Sequence, residues 1–330
     1  MNTSLRPAEP PQAFPVFDGH VDLVYAMMER GDETPFAGLA AGPVTASSLA
    51  EGNVRTLVCA LYCADAHNGP GTALEHLRSL QGFAERRLSG LQRIHGEAEL
   101  EASFRGESQT GVLFLVENGD ALLEADLDAL RSWGVTAVGL THAGRNRIAD
   151  GNGVVSPGGL SAAGRRLVGE LERRGWVIDV AHLAAPGFRE VAEIFGGPLV
   201  CSHTGLRPFC DRPRNLDEAQ VRLVLDRGGV VGLALAPEML SITGRAGIED
   251  LFRQVDWLVQ KVGPDGVGLG TDLGGFDGAC RGLEDHGRLG LLAERMLGAG
   301  YGREAVAGIM GGNWYRFYSG LLAGGTEIPG

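Results

Sequence analysis

Short runs rich in Val, Leu and Ile alternate along the chain with longer stretches in which apolar residues recur every third or fourth position. The short runs are FPVFDGH (14–20), VRTLVCALYC (54–63), GVLFLVE (111–117), GVTAVGLTH (134–142), GWVIDVAH (175–182), GPLVCSH (197–203), GGVVGLAL (228–235) and DGVGLGTD (265–272). They are apolar enough for strands covered on both faces, and many open with Gly, as expected where a helix end hands over to a strand. Between them, DALLEADLDALRSWG (120–134), SAAGRRLVGELERRG (161–175) and NLDEAQVRLVLDRGG (215–229) read as amphipathic helices, several starting at a residue able to cap the first turn. REAVAGIMGGNWYRFYSG (303–320) reads as a last helix with a Gly pair inside. This alternation predicts βα units around a parallel sheet, and eight strands predict an α/β fold of the (β/α)8 TIM-barrel kind in a single domain. No composition break marks a linker, so the expected boundaries are a mobile lead-in at 1–13, a barrel domain at 14–320 and a C-terminal tail at 321–330.

Composition narrows the partners more than the fold. With 330 residues, 44% hydrophobic and 21% charged, the chain can bury a large core, which excludes disordered and fibrous classes. A net charge of −12 repels phosphate backbones and anionic lipid, so neither nucleic acid nor a membrane surface is an expected partner. Five cysteines without a Cys-x-x-Cys pair suggest reduced thiols rather than disulfides or a thiolate zinc site. The first residues lack a basic segment followed by an apolar run, and no stretch approaches the roughly 18 apolar residues of a membrane span; a cytoplasmic location is expected.

The chemistry gathers at the strand ends. Barrel enzymes carry their reactive groups on the C-terminal rim of the barrel. The first predicted strand ends at His20 with Asp22 beyond it, the third at Glu117, the fourth at His142, the fifth at His182, the sixth at His203 and the eighth at Asp272. A single His or Glu at a strand end is more often structural, but six strand ends aimed at one face by coincidence is a poor explanation. His67, His76, His95 and His286 fall in helix or loop contexts and are read as surface residues.

Three imidazoles and two carboxylates from this set suit zinc or a similar divalent ion, and five ligands exceed the three of one catalytic zinc. Two ions sharing one carboxylate fit the count. The only lysine, Lys261, lies in a helix away from any strand end, so a modified lysine cannot be the bridge and Glu117 is the candidate. In the loop GLRPFCDRPRNLDE (205–218), Arg214 is the choice for clamping a substrate carboxylate, with Arg207 and Arg212 read as solvated. The Gly-rich loop AGRNRIADGNGVVSPGGLS (143–161) is long enough for a lid or rim segment. GVGLGTDLGG (266–275) has Leu273 where a dinucleotide loop requires Gly, which leaves a nucleotide site little support.

The segments FDGHVDL (17–23), LVENGDAL (115–122), LTHAGRNRIADG (140–151), GLSAAGRRLVGELERRGWVIDVAH (159–182), PLVCSHTGLRP (198–208), RPRNLDE (212–218), GLGTD (268–272) and GGNWYRFY (311–318) together resemble the membrane dipeptidase (renal dipeptidase) family of zinc peptidases, in its soluble bacterial branch. The resemblance implies a zinc-dependent dipeptidase that cleaves the amide bond of small dipeptides, including those with a D-residue at the C-terminal position, by water activated between two Zn2+ ions. It implies that His20 and Asp22 hold one ion, His182 and His203 the other, and that Glu117 bridges. It further implies His142 as transition-state stabiliser, Arg214 on the terminal carboxylate, Asp272 as the proton-handling group, and a homodimer. Three features depart from the family pattern: Val21 replaces a polar residue, Leu273-Gly274-Gly275 intervene before Phe276 and Asp277, and 236–247 lacks a tyrosine. Alternative readings are a barrel amidohydrolase acting on a lactone, cyclic amide or N-acyl amino acid, and a catalytically silent metal-binding protein.

Overall fold

The computed structural model describes residues 14–324. Nine strands follow in chain order: β1 (Val16–Val21), β2 (Val54–Tyr62), β3 (Gln92–Arg93), β4 (Gly111–Glu117), β5 (Val135–Gly139), β6 (Val177–Asp179), β7 (Leu199–Thr204), β8 (Val231–Leu233) and β9 (Val267–Leu269). They neighbour one another in the order β2-β1-β9-β8-β7-β6-β5-β4-β3, all parallel, and β2 also pairs with β4 along Thr56–Tyr62. That pairing closes eight strands into a (β/α)8 barrel. The two-residue β3 lies beside the start of β4, before β5 joins at Phe114; so short an element leaves no periodic trace in the sequence. The lead-in at 1–13 and most of the 321–330 tail lie outside the described residues, and the last helix runs on to Leu322.

The helices form where apolar periodicity meets a cap. Ser161 accepts from Gly164 N–H to start Ala162–Arg173, and Asp217 forms a capping box with Gln220 to start Glu218–Asp226. The stretch predicted as one helix over 120–134 divides into a 3-10 turn, Gly119–Leu123, and a helix, Leu127–Trp133, capped by the Asp126 side chain. No helix among the described residues is long and apolar enough to cross a membrane. All five cysteines are free and buried.

The barrel interior is filled by Phe17, Val58, Ala60, Leu113, Leu115, Ala137, Val177, Val200 and Val230, packed with Trp314 and Tyr318 of the C-terminal helix. Trp314 touches β1 and β9 so closely that a Cβ at Gly19 or Gly268 would lie 2.4 or 2.5 Å from its ring, and its Nε1–H donates to Leu269 O at 2.8 Å. Only glycine permits this approach. The Gly pair read inside the last helix forms a π turn, Gly308–Gly312, where a Cβ at Gly311 would stand 2.5 Å from the Phe17 nitrogen. With this end of the barrel packed solid, the opposite rim is left for chemistry.

At that rim the regular ladders stop earlier than the sequence suggests. His142, His182 and Asp272 do not end strands: β5, β6 and β9 finish at Gly139, Asp179 and Leu269. His182 (φ 63°) and Asp272 (φ 62°) occupy the left-handed region, which interrupts a regular ladder and which residues other than glycine adopt mainly when the surroundings hold them there. The 143–161 loop is a pinned rim segment. Arg147 binds Asp120 at 2.9 Å, Asn146 donates to Asn118 at 2.7 Å, and Gly151 bridges to Leu183, leaving Val155 exposed at the tip.

Candidate metal centre

All eight residues singled out in the sequence come to the same rim. Glu117, last residue of β4, is central: its Oε1 is 2.9 Å from His182 Nε2 and 3.6 Å from His203 Nε2, while Oε2 faces His20 Nε2 at 3.9 Å. Asp22 Oδ2 lies 3.3 Å from His20 Nε2. Among the described residues, three sets of donor atoms, each within 4.8 Å of one another, could hold a metal: His20–Asp22–Glu117, Glu117–His182–His203 and His20–His203–Asp272. The two that contain Glu117 coincide with the two ligand sets implied by the resemblance. The third gives Asp272 a contact with the cluster that sequence reasoning did not consider.

His20 reaches the site through an irregularity in β1. Phe17 and Gly19 face the barrel interior, and the register shift between Asp18 and Val21 turns His20 toward the same cavity. Asp18 is buried outside that cavity, where its carboxylate accepts the backbone N–H of His20 (3.2 Å) and of Thr271 (2.8 Å), tying β1 to the segment that carries Asp272. His286 binds the same carboxylate at 2.8 Å and is fully buried. Its reading as a surface residue is therefore corrected: a buried carboxylate at Asp18 needs a partner, and the loop after β9 folds back to supply one. His67 and His76 stack on each other at 3.9 Å, half-buried, and His95 is exposed.

The electrostatics are those of a site built for cations. His20 is pushed up to about 10; burial opposes its charge, but Asp22, Glu117 and Asp272 outweigh burial. Glu117 is held well below the usual carboxylate range: burial would raise it, and His182, His20 and His142 prevail. Burial pushes Asp272 up, and the neighbouring Asp22 adds to the shift. Burial and the Arg214 guanidinium push His182 down to about 3, and His203 falls well below its ordinary value through burial and the charge of His20. His20 Nε2 and His182 Nδ1 are buried without a well-formed hydrogen bond. Buried imidazole nitrogens clustered with carboxylate oxygens, with His20 Nε2 short of a partner, fit a divalent ion of the borderline-soft kind.

The remaining groups stand around this cluster. His142 Nδ1 faces Asp65 Oδ2 at 3.2 Å and its ring meets Tyr62 edge-on at 4.8 Å. Burial would lower His142, but Asp65 and Glu117 raise it. Arg214 places Nη2 3.2 Å from His182 Nε2, with its Nε buried and unpartnered. Arg207 instead pairs with Asp211 at the surface, Arg212 is exposed, and Lys261 lies on Glu218, away from the centre. A Cβ at Gly275 would come within 2.3 Å of Asp22 Oδ2 and 2.4 Å of Asp272 Oδ1, so the glycine run after β9 lets the backbone close over both carboxylates.

A parallel barrel with a carboxylate–imidazole cluster on its C-terminal rim has the architecture of the barrel metallohydrolases. A family comparison narrows this further: the model of the membrane dipeptidase family, peptidase family M19, matches residues 10–321, and the chain belongs to that family. It is 25% identical to human dipeptidase 3 over 326 residues, covering 93% of this chain and 65% of the human one. It is 29% identical to dipeptidase aclJ of Aspergillus oryzae over 187 residues, covering 56% and 44%. The chain thus spans less than two thirds of the length of either relative. Among solved structures, a dipeptidase described as an M19 metallopeptidase superposes with a TM-score of 0.83 at 25% identity, over 94% of this chain and 98% of that one. A Rhodobacter sphaeroides metallopeptidase, liganded with a phosphinate mimic of L-Ala-D-Ala, has the same fold at 24% identity and TM-score 0.83, over 94% and 99%.

Proposed function

We propose that this protein is a zinc dipeptidase with two ions per chain, acting in the cytoplasm on small dipeptides, including those with a C-terminal D-residue, and working as a homodimer. The observation that carries the reading is the position of Glu117, with one oxygen toward His182 and His203 and the other toward His20. In this reading His20 and Asp22 would hold one ion, His182 and His203 would hold the other, and Glu117 would serve as the shared ligand. The ions, when bound, supply Lewis-acid activation of a water and of the scissile carbonyl.

The chain's own side chains do the rest. Arg214 binds the substrate's free C-terminal carboxylate and fixes the scissile bond over the cluster. His142, its Nδ1–H accepted by Asp65, turns Nε2–H toward the oxyanion that develops during attack; a preorganised donor of this kind contributes about 3–4 kcal/mol. Asp272 takes the proton of the attacking water and delivers it to the leaving amine, so that one water adds across the C–N bond and two amino acids leave.

Two measurements test this. Purified protein is expected to hold close to two divalent ions after dialysis, and dipeptides, D-containing dipeptides included, are expected to be the substrates turned over in a panel with lactones, cyclic amides and N-acyl amino acids. One tight ion with full activity would remove the two-ion reading, and turnover confined to another class would remove the dipeptidase reading. Arg214→Ala is expected to raise KM about 10- to 150-fold for free dipeptides, the equivalent of losing a charged hydrogen bond, and to change KM little for C-terminally amidated analogues. An equal effect on both would move the clamp to another residue.

A further inference from the structure

Ser202 precedes His203 in β7 and takes no part in the steps above. Its hydroxyl oxygen lies 2.8 Å from His203 Nδ1, 3.1 Å from His20 Nδ1 and 2.6 Å from Asp179 Oδ2. All four side chains are buried. A serine hydroxyl has one proton and two lone pairs, so three such neighbours imply one bond donated and two accepted. A ring that accepted the serine proton at Nδ1 would, when neutral, carry its own proton on Nε2, the nitrogen facing Glu117. An Nε2–H cannot ligate an ion. Asp179 is the acceptor that resolves this: its Oδ1 already takes the backbone N–H groups of Ser202 (2.9 Å) and Ala181 (3.1 Å), leaving Oδ2 for the hydroxyl.

We propose that Ser202 is a positioning residue shared by both halves of the metal centre, donating to Asp179 while accepting Nδ1–H from His20 and from His203. One hydroxyl thereby holds two rings, stacked 3.7 Å apart, in the tautomer that offers an Nε2 lone pair to each ion. The inference rests on the two-ion reading, in which these histidines serve different ions. His182, whose Nδ1 is buried without a partner, lies outside this arrangement.

The test uses protein labelled with 15N-histidine, with ring tautomers read from nitrogen shifts and zinc affinity from chelator competition. In the metal-free wild type, His203 is expected as the Nδ1–H tautomer, and Ser202→Ala is expected to mix tautomers there. The same variant is expected to weaken both ions by about 10- to 100-fold, the usual effect of losing an outer hydrogen-bond partner. Asp179→Asn gives a sharper outcome. Its carbonyl oxygen must serve the two backbone N–H groups, so its amide N–H faces Ser202, the serine proton turns to the His203 ring, and His203 is expected to switch to Nε2–H. Unchanged tautomers in both variants, or a loss of affinity confined to one ion, would overturn the proposal. A wild type that binds a single zinc would instead sink the two-ion reading, and the metal-free tautomers would still decide the role of Ser202.

Discussion

Glu117→Gln is expected to lose at least one of the two proposed ions and to lower kcat on the order of 10³-fold or more, since Lewis-acid activation contributes several kcal/mol. A carboxylate can face two cations with two equivalent oxygens; an amide has one acceptor oxygen, and its NH2 would point toward the lone pair of an imidazole. The geometry leaves no substitute. Among the described residues Glu117 is the one carboxylate within reach of His20, His182 and His203 together; Asp22 groups with His20, and Asp272 with His20 and His203 but not with His182. Glu and Gln are close in volume, so the variant should fold, and metal analysis beside a melting curve separates loss of ions from loss of structure. Both ions retained at near-normal rate would show that the bridge lies elsewhere.

Asp272→Asn is expected to keep metal content and substrate binding while kcat falls about 10²–10⁴-fold, the contribution of a positioned acid or base. Asp272 is buried beside Asp22, in a left-handed backbone conformation that aims its carboxyl over the cluster. Its closeness to His20 and His203 gives the experiment a second readout: loss of an ion along with turnover would make Asp272 a ligand rather than a proton carrier. Asp277, exposed further along the same glycine-rich loop, serves as control. Should Asp277→Asn abolish turnover with metals retained while Asp272→Asn stays active, the proton-handling role belongs to Asp277.

The parts of this site legible in the sequence were those that chemistry marks. His20, Glu117 and His203 close apolar runs, where a polar side chain needs a reason, and the run lengths were enough to put them on one rim. The outer partners were less visible. Asp179 and Ser202 are polar residues inside the apolar runs WVIDVAH and LVCSH, and the rule that buried polar groups find partners would have flagged them as a network. Asp65 follows the one early strand with no reactive residue at its end, but only folding brings it to His142. His286 was misread because its partner, Asp18, is distant in sequence and because its short 3-10 turn has no periodicity to reveal burial. Where strands end was also beyond pattern reading, since a left-handed residue such as His182 carries no sequence signature.

The Trp314 anchor bears on how the polypeptide matures during synthesis. β1 leaves the ribosome well before its partner β9 and the indole that fills the space beside Gly19 and Gly268. Loop-closure entropy across so many residues makes such long-range pairing slow, and domains of this size fold through partly assembled species. Until the C-terminal helix is made, the nascent barrel has an open seam at β1 and an unfilled base. His20, Asp22 and Asp272 straddle that same seam, so the ligand cluster becomes complete only when the ring closes. Under the proposed two-ion reading, metal capture is accordingly expected to follow closure of the barrel rather than to template it.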